Sequence, residues 1–179
     1  MTEISYTAAN IAITAAWILA RAAVWAKTGR LSWKREAQLL PVYICIMVVA
    51  RFTFFPFSRV EGHVQPLLFS GSQMLPPRVN FVPLVNLLDY QVLMEAKVNV
   101  IGNIAMFVPL GIIWPSVFRE LDRHGKVLAA GAGFSLFIEL LQLPFFDRVT
   151  DVDDLILNSL GFCLGYGLYL LFRRKKEAS

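Results

Sequence analysis

Apolar residues in this chain run in long blocks and do not alternate with polar ones. Five blocks, roughly 5–26, 37–58, 97–118, 125–146 and 152–172, reach the about 20 mostly apolar residues that a helix needs to cross a bilayer. Between the second and third lies a different segment, 59–96, containing GHVQP, SGSQ, LPPR and FVP. That density of proline and glycine reads as a long loop, with a short interfacial helix around Leu84–Tyr90. The pattern predicts an all-α fold: a polytopic membrane helical bundle of five transmembrane helices, forming one integral-membrane domain over residues 1–179. No block resembles its neighbours closely enough to be an internal repeat. Glu3 and the lack of a basic run before the first block argue against a cleaved signal peptide.

Composition strengthens this reading. Of the residues, 56% are hydrophobic and 17% charged, and the mean hydropathy is +0.56, outside the usual range of soluble domains. A net charge of +4 raises the question of nucleic acid, but the placement of the basic residues explains it better. The first connection carries Lys27, Arg30, Lys34 and Arg35; the third carries Arg119, Arg123 and Lys126; the tail carries Arg173 to Lys176. With five spans these segments share a side, so the positive-inside rule puts the N-terminus outside and the C-terminus in the cytoplasm. Trp25, Trp33 and Trp114 then fall near the cytoplasmic boundary, where interfacial tryptophans gather. Cys45 and Cys163 lie in apolar blocks and read as small hydrophobes.

Polar residues inside the blocks carry the candidate chemistry. Asp151, Asp154, Asn158, Gly161 and Gly165 follow steps of three and four, so they share one face of the fifth helix. The GFCLG stretch on that face fits close helix packing. Asn99 and Asn103 stand one turn apart on the third block. Ser135, Glu139 and Gln142 share a face of the fourth, and the second holds Arg51. Counted at about 1.5 Å per residue, Arg51, Asn103, Glu139 and Asn158 all fall roughly 9–11 Å below the outer boundary. Charges inside a bilayer usually pair and face the bundle, which makes Arg51 and Glu139 the expected ion pair. Two readings stand: a pair that only holds helices together, or the floor of a site open to the outer face, continued upward by Arg148, Asp151, Asp153 and Asp154. One aspartate suffices to cap the fifth helix.

Four stretches, RVNFVPL (78–84), NVIGNIAMFVPLG (99–111), SLFIELLQ (135–142) and RVTDVDDLILNSLGFCLGY (148–166), together resemble the VanZ-like family of bacterial membrane proteins. The resemblance covers roughly residues 45–170. It carries over Arg78, Asn80, Pro83, Asn99, Asn103, Phe107, Pro109, Gly111, Glu139, Gln142, Arg148, Asp151, Asp154, Asn158, Gly161 and Gly165. Arg51 falls at a less sharply defined position. The resemblance implies a multi-pass protein of the bacterial cytoplasmic membrane and a link to resistance to teicoplanin, a lipoglycopeptide. It names a context and no reaction.

Three functions fit these residues. The first is a binding or shielding module at the outer leaflet, engaging a lipid-linked cell-wall precursor or the lipoglycopeptide. Arg51, Arg78 and Arg148 would contact phosphate or carboxylate, with Asn80, Asn99, Asn103, Gln142, Asp151 and Asn158 completing the site. The second is an intramembrane enzyme using Glu139 and Asp154, with Asp151 and Asp154 able to share a hard divalent cation with Glu139. The third is a small transporter, disfavoured by the apolar inner half of every span. The chain has no Ser–His or Cys–His arrangement, and His63 and His124 read as solvated loop residues. The expected partners are the lipid bilayer and a lipid-linked cell-wall precursor or lipoglycopeptide, with no nucleic acid; no cofactor or metal is expected, and the sequence leaves the oligomeric state open.

Overall fold

The computed structural model describes residues 2–55, 59–70, 79–80, 93–121, 123–146, 148 and 150–177. In chain order the elements are β1 (Thr2–Ile4), α1 (Tyr6–Thr28), α2 (Trp33–Phe54), β2 (Arg59–Val60), β3 (His63–Val64), β4 (Leu67–Phe69), β5 (Val79–Asn80), α3 (Leu93–Val117), α4 (His124–Gln142), β6 (Thr150–Asp151) and α5 (Val152–Glu177). All five helices are long and apolar enough to cross a membrane.

Helix ends follow local chemistry. Ser5 caps α1 by accepting from the Ala8 N–H at 3.1 Å, and Gly29 ends it in the left-handed region at φ 67°. Helix α2 stops at Phe54, several residues before the end expected from hydropathy. Phe55, which precedes Pro56, is extended at φ −112° and ψ 137°, the conformation favoured ahead of proline. Helix α4 likewise stops short of the expected 146, at Gln142. Pro144 follows within two residues and cannot donate to a continuing ladder.

Helices α3 and α5 form the centre, because glycine lets their backbones touch. A methyl group on Gly161 would overlap the Ile104 carbonyl oxygen and lie 2.9 Å from the Ile104 Cα. One on Gly165 would overlap the Val108 carbonyl oxygen, and one on Gly111 the Phe162 carbonyl oxygen. The small-residue face expected of the fifth span is therefore a real contact, with carbonyl oxygens packed on glycine Cα–H groups. Phe107, Leu110, Val127, Ile138 and Phe162 fill the core around it, with Cys45 and Val49 of α2. Gly131 of α4 makes room for the Phe162 ring.

Helix α1 stands apart: none of its residues is buried. It is tied to α2 by polar contacts, Thr14 with Tyr43 at 2.8 Å and Arg21 with Glu36 at 2.7 and 3.0 Å. Trp25 also donates to Glu36. Ile11, Ile18 and Leu19 are exposed, as suits side chains turned to lipid.

Short strands brace one end of the bundle. β1 pairs antiparallel with β4, and β5 pairs in parallel with β6. Phe146 N donates to Leu68 O at 2.8 Å and Ser70 N to Pro144 O at 2.9 Å. The N-terminus, the connection between α2 and α3 and the turn between α4 and α5 thus meet at one end. That connection is partly structured where the sequence suggested a plain loop: β2 and β3 form a hairpin whose turn, Glu61–Gly62, has positive φ at both residues. The interfacial helix expected at 84–90 lies outside the described residues. The opposite end collects the basic connections. There Arg35 donates to Val117 O at 2.6 Å. His124, expected in a loop, opens α4 and shares a 2.6 Å hydrogen bond with the Tyr166 hydroxyl.

Candidate functional site

The polar cluster lies at the strand-braced end, where α3, α4 and the start of α5 converge. The close approach of α3 and α5 sets its geometry. One turn above Gly161, Asn158 is 1% exposed and donates from Nδ2 to Ser135 Oγ at 3.1 Å. One turn higher again, Asp154 accepts from Asn103 Nδ2.

Asp151 caps α5. Its Oδ1 accepts from the Asp153 N–H at 2.9 Å, one of the donors that a helix start leaves without an internal partner. Its Oδ2 accepts from Asn80 Nδ2 at 3.1 Å. The same carboxylate therefore starts the helix and fastens β5 to β6. Glu139, only 2% exposed, accepts from the Asp151 N–H at 3.2 Å through Oε2, while its carbonyl accepts from the Thr150 hydroxyl at 3.0 Å.

The expected Arg51–Glu139 ion pair does not form. Arg51 donates to Phe55 O at 3.1 Å and lies over the Tyr6 and Phe52 rings at 5.5 and 5.4 Å. The physical reason lies at the end of α2. Its last carbonyls have no intrahelical partners and need donors. Gln142 Nε2 donates to Thr53 O at 2.8 Å. Arg148 donates twice to Phe54 O, at 3.0 and 2.7 Å. Arg51, Gln142 and Arg148 together close this helix. The Arg51 side chain lies half-buried at this helix end, over the Tyr6 and Phe52 rings.

The single polar layer expected from helix counting divides accordingly. Asn158 with Ser135 forms a buried interhelical bridge. Asn103, Glu139, Asp151 and Asp154 form the cluster above it, with Asn80 tied in from β5. Asn99 is exposed on α3 beside it. Arg78 lies outside the described residues. Thr150 and the carbonyls of Thr53 and Phe54 take part in this end of the molecule and were missed from the sequence. The carbonyls were foreseeable, since every helix C-terminus seeks donors.

Chemically the cluster is an acceptor-rich rim. Glu139, Asp151, Asp153 and Asp154 bring four carboxyl groups to the N-terminal end of α5, Glu139 buried and the three aspartates half-buried. Among the described residues no three His, Cys, Asp or Glu side chains are placed to hold a metal ion.

Five spanning helices, a glycine-packed central pair and a polar cluster gathered at one end define a small multi-pass membrane protein, in keeping with a bacterial cytoplasmic membrane. The chain belongs to the VanZ/LLP1 family, whose model matches residues 42–173. It is 34% identical over 87 residues to the uncharacterized membrane protein YwnJ of Bacillus subtilis (strain 168), covering 46% of this chain and 56% of that protein. It is 34% identical over 71 residues to Protein VanZ of Enterococcus faecium, covering 40% of this chain and 44% of that one. The matched segments span about half the length of these curated relatives. No solved structure matches the chain. The family region begins inside α2 and so leaves out α1, the helix with no buried residue.

Proposed function

We propose that this protein binds the polar part of an envelope amphiphile at the outer leaflet. In that role it contributes to lipoglycopeptide resistance of the kind linked to the VanZ-like family. The amphiphile is a lipid-linked cell-wall precursor or the membrane-bound drug itself. The orientation is part of the proposal: the strand-braced end faces outward and the basic end lies in the cytoplasm, following the positive-inside rule.

The observation that carries this reading is the division of labour at the braced end. Arg51, Gln142 and Arg148 serve the last carbonyls of α2. Asn103, Glu139, Asp151 and Asp154 gather on three sides of the α5 start. With Asp153, the four acids Glu139, Asp151, Asp153 and Asp154 exceed what one helix cap needs. An acceptor-rich rim suits hydroxyl and ammonium groups, such as those of sugars and amines, better than a bare phosphate.

The test is teicoplanin and vancomycin susceptibility in a drug-sensitive Gram-positive host. The host expresses wild type, Asn103→Ala, Glu139→Gln or Asp154→Asn, with membrane abundance matched by blot. Protection against teicoplanin by wild type, lost in the variants, is the expected result. Equal protection by all four proteins defeats the proposal.

A further inference from the structure

A groove of ≈ 460 Å³ runs between α2 and α3. Ile44, Cys45, Val48 and Phe52 line it on α2, and Gly102 and Met106 on α3. The two helices are antiparallel, so Phe52 lies toward the braced end and Ile44 toward the middle of the bundle. At about 1.5 Å per residue, the stretch from Ile44 to Phe52 is roughly 12 Å long. That is most of one leaflet of a hydrocarbon core about 30 Å thick.

Three observations identify the occupant. First, the groove faces outward from the bundle: Ile44, Val48 and Phe52 are exposed apolar side chains. Helix α1 leaves them open, because it contacts α2 at Glu36 and Tyr43. Second, the wall is recessed by small residues. Nothing lies within 4 Å of where a Gly102 side chain would begin. Third, the groove is continuous with the polar cluster. Asn99 and Asn103 line its braced end, and the same Asn103 donates to Asp154. A cleft with hydrocarbon walls and one amide-bearing end has the two-part chemistry of a lipid.

We infer that this groove holds a hydrocarbon chain of the amphiphile whose head group occupies the Asn103–Asp154 cluster, and that the ligand enters sideways from the bilayer between α2 and α3. The inference rests on the head-group reading and adds the tail, its seat and its route. The ligand class is a membrane-bound amphiphile with at least one hydrocarbon chain as long as a leaflet is deep, and an acyl lipid probes that seat.

The experiment reconstitutes the full chain in phosphatidylethanolamine–phosphatidylglycerol vesicles containing a phosphatidylglycerol with a diazirine midway along its acyl chain. After illumination, adducts are mapped by mass spectrometry. Adducts should be several-fold denser on Ile44, Val48 and Met106 than on Ile11, Leu19 and Leu171, apolar residues at least as exposed on α1 and α5. Gly102→Leu should remove most groove adducts while the protein stays folded, since leucine is a better helix former than glycine and the space is empty. Labelling that follows exposure alone, or that survives Gly102→Leu, overturns the inference. Asn99→Leu and Asn103→Ala keep the apolar walls and alter only the polar end, so they should weaken groove labelling. Unchanged labelling in both detaches the groove from the cluster and refutes a shared ligand. The susceptibility test of the cluster is then judged by itself.

Discussion

The contact between α3 and α5 predicts opposite signs for one substitution at different places on the same helix. Alanine at Gly161 puts a methyl group into the Ile104 carbonyl, and alanine at Gly165 puts one into that of Val108, 3.1 Å from the Gly111 Cα. These partners are backbone, so no side chain can rotate away. The helices must separate, and overpacking of this kind costs about 1–3 kcal/mol, which at 1.4 kcal/mol per tenfold lowers the folded-to-unfolded ratio by roughly 5- to 150-fold. Gly167 lies on α5 with nothing within 4 Å. There, alanine removes only the conformational penalty of glycine, a gain of up to about 1 kcal/mol. The double variant Gly161→Ala/Gly165→Ala should cost less than the sum of the singles, because the first methyl already parts the helices. Denaturation in mixed micelles with rising dodecyl sulfate measures the four variants against wild type. With Trp17, Trp25 and Trp33 replaced by phenylalanine throughout, Trp114 supplies the fluorescence signal, since its ring packs edge-on against Phe162 at 5.7 Å. A Gly161→Ala protein as stable as wild type, or a Gly167→Ala protein destabilised as much as Gly161→Ala, would refute the backbone-contact argument.

Three further outcomes follow from the braced end and from α1. Arg148→Ala removes two hydrogen bonds to Phe54 O and should cost about 1.5–3 kcal/mol for the loss of a charged donor; thermal unfolding of Arg148→Lys should show at most half of that recovered. Asn158→Ala should be more destabilising than the double change Asn158→Leu/Ser135→Ala, which removes both partners of a buried bond together with an Oδ1 that has no partner among the described residues. The opposite order in dodecyl sulfate titration would show that the bridge does more than hold helices. Glu36→Ala removes the acceptor shared by Arg21 and Trp25; it should speed trypsin cleavage at Lys27 and Arg30 while leaving the dodecyl sulfate midpoint of helix loss, followed by circular dichroism, unchanged.

The five spans were legible because hydropathy over 20 residues is a strong signal, and their errors have local causes. Hydropathy carried the second span to 58 and the fourth to 146, but Pro56 and Pro144 end helices that apolar residues would continue. The Gly161–Gly165 face and the Asp151 cap could be read from spacing, since both depend on residues within one or two turns. The Arg51–Glu139 pairing failed for a different reason. Depth counting places Cα atoms, whereas a long guanidinium side chain reaches a full turn, and unpaired carbonyls at the end of α2 compete for it. The pairing of β5 with β6 leaves no periodic trace. Two residues meet two others from across α3 and α4, and only Asn80, within the RVNFVPL element, hinted at a role there.

The central claim is that Asn103, Glu139, Asp151 and Asp154 form a seat for the polar part of one amphiphile. Native mass spectrometry of the protein, extracted from bacterial membranes into a mild detergent, tests it most directly. The wild-type protein should retain one lipid-class adduct through activation that strips annular lipid, and Asn103→Ala/Asp154→Asn should lose it while remaining folded by circular dichroism. Equal retention by both proteins, or no retained adduct on either, would contradict the account.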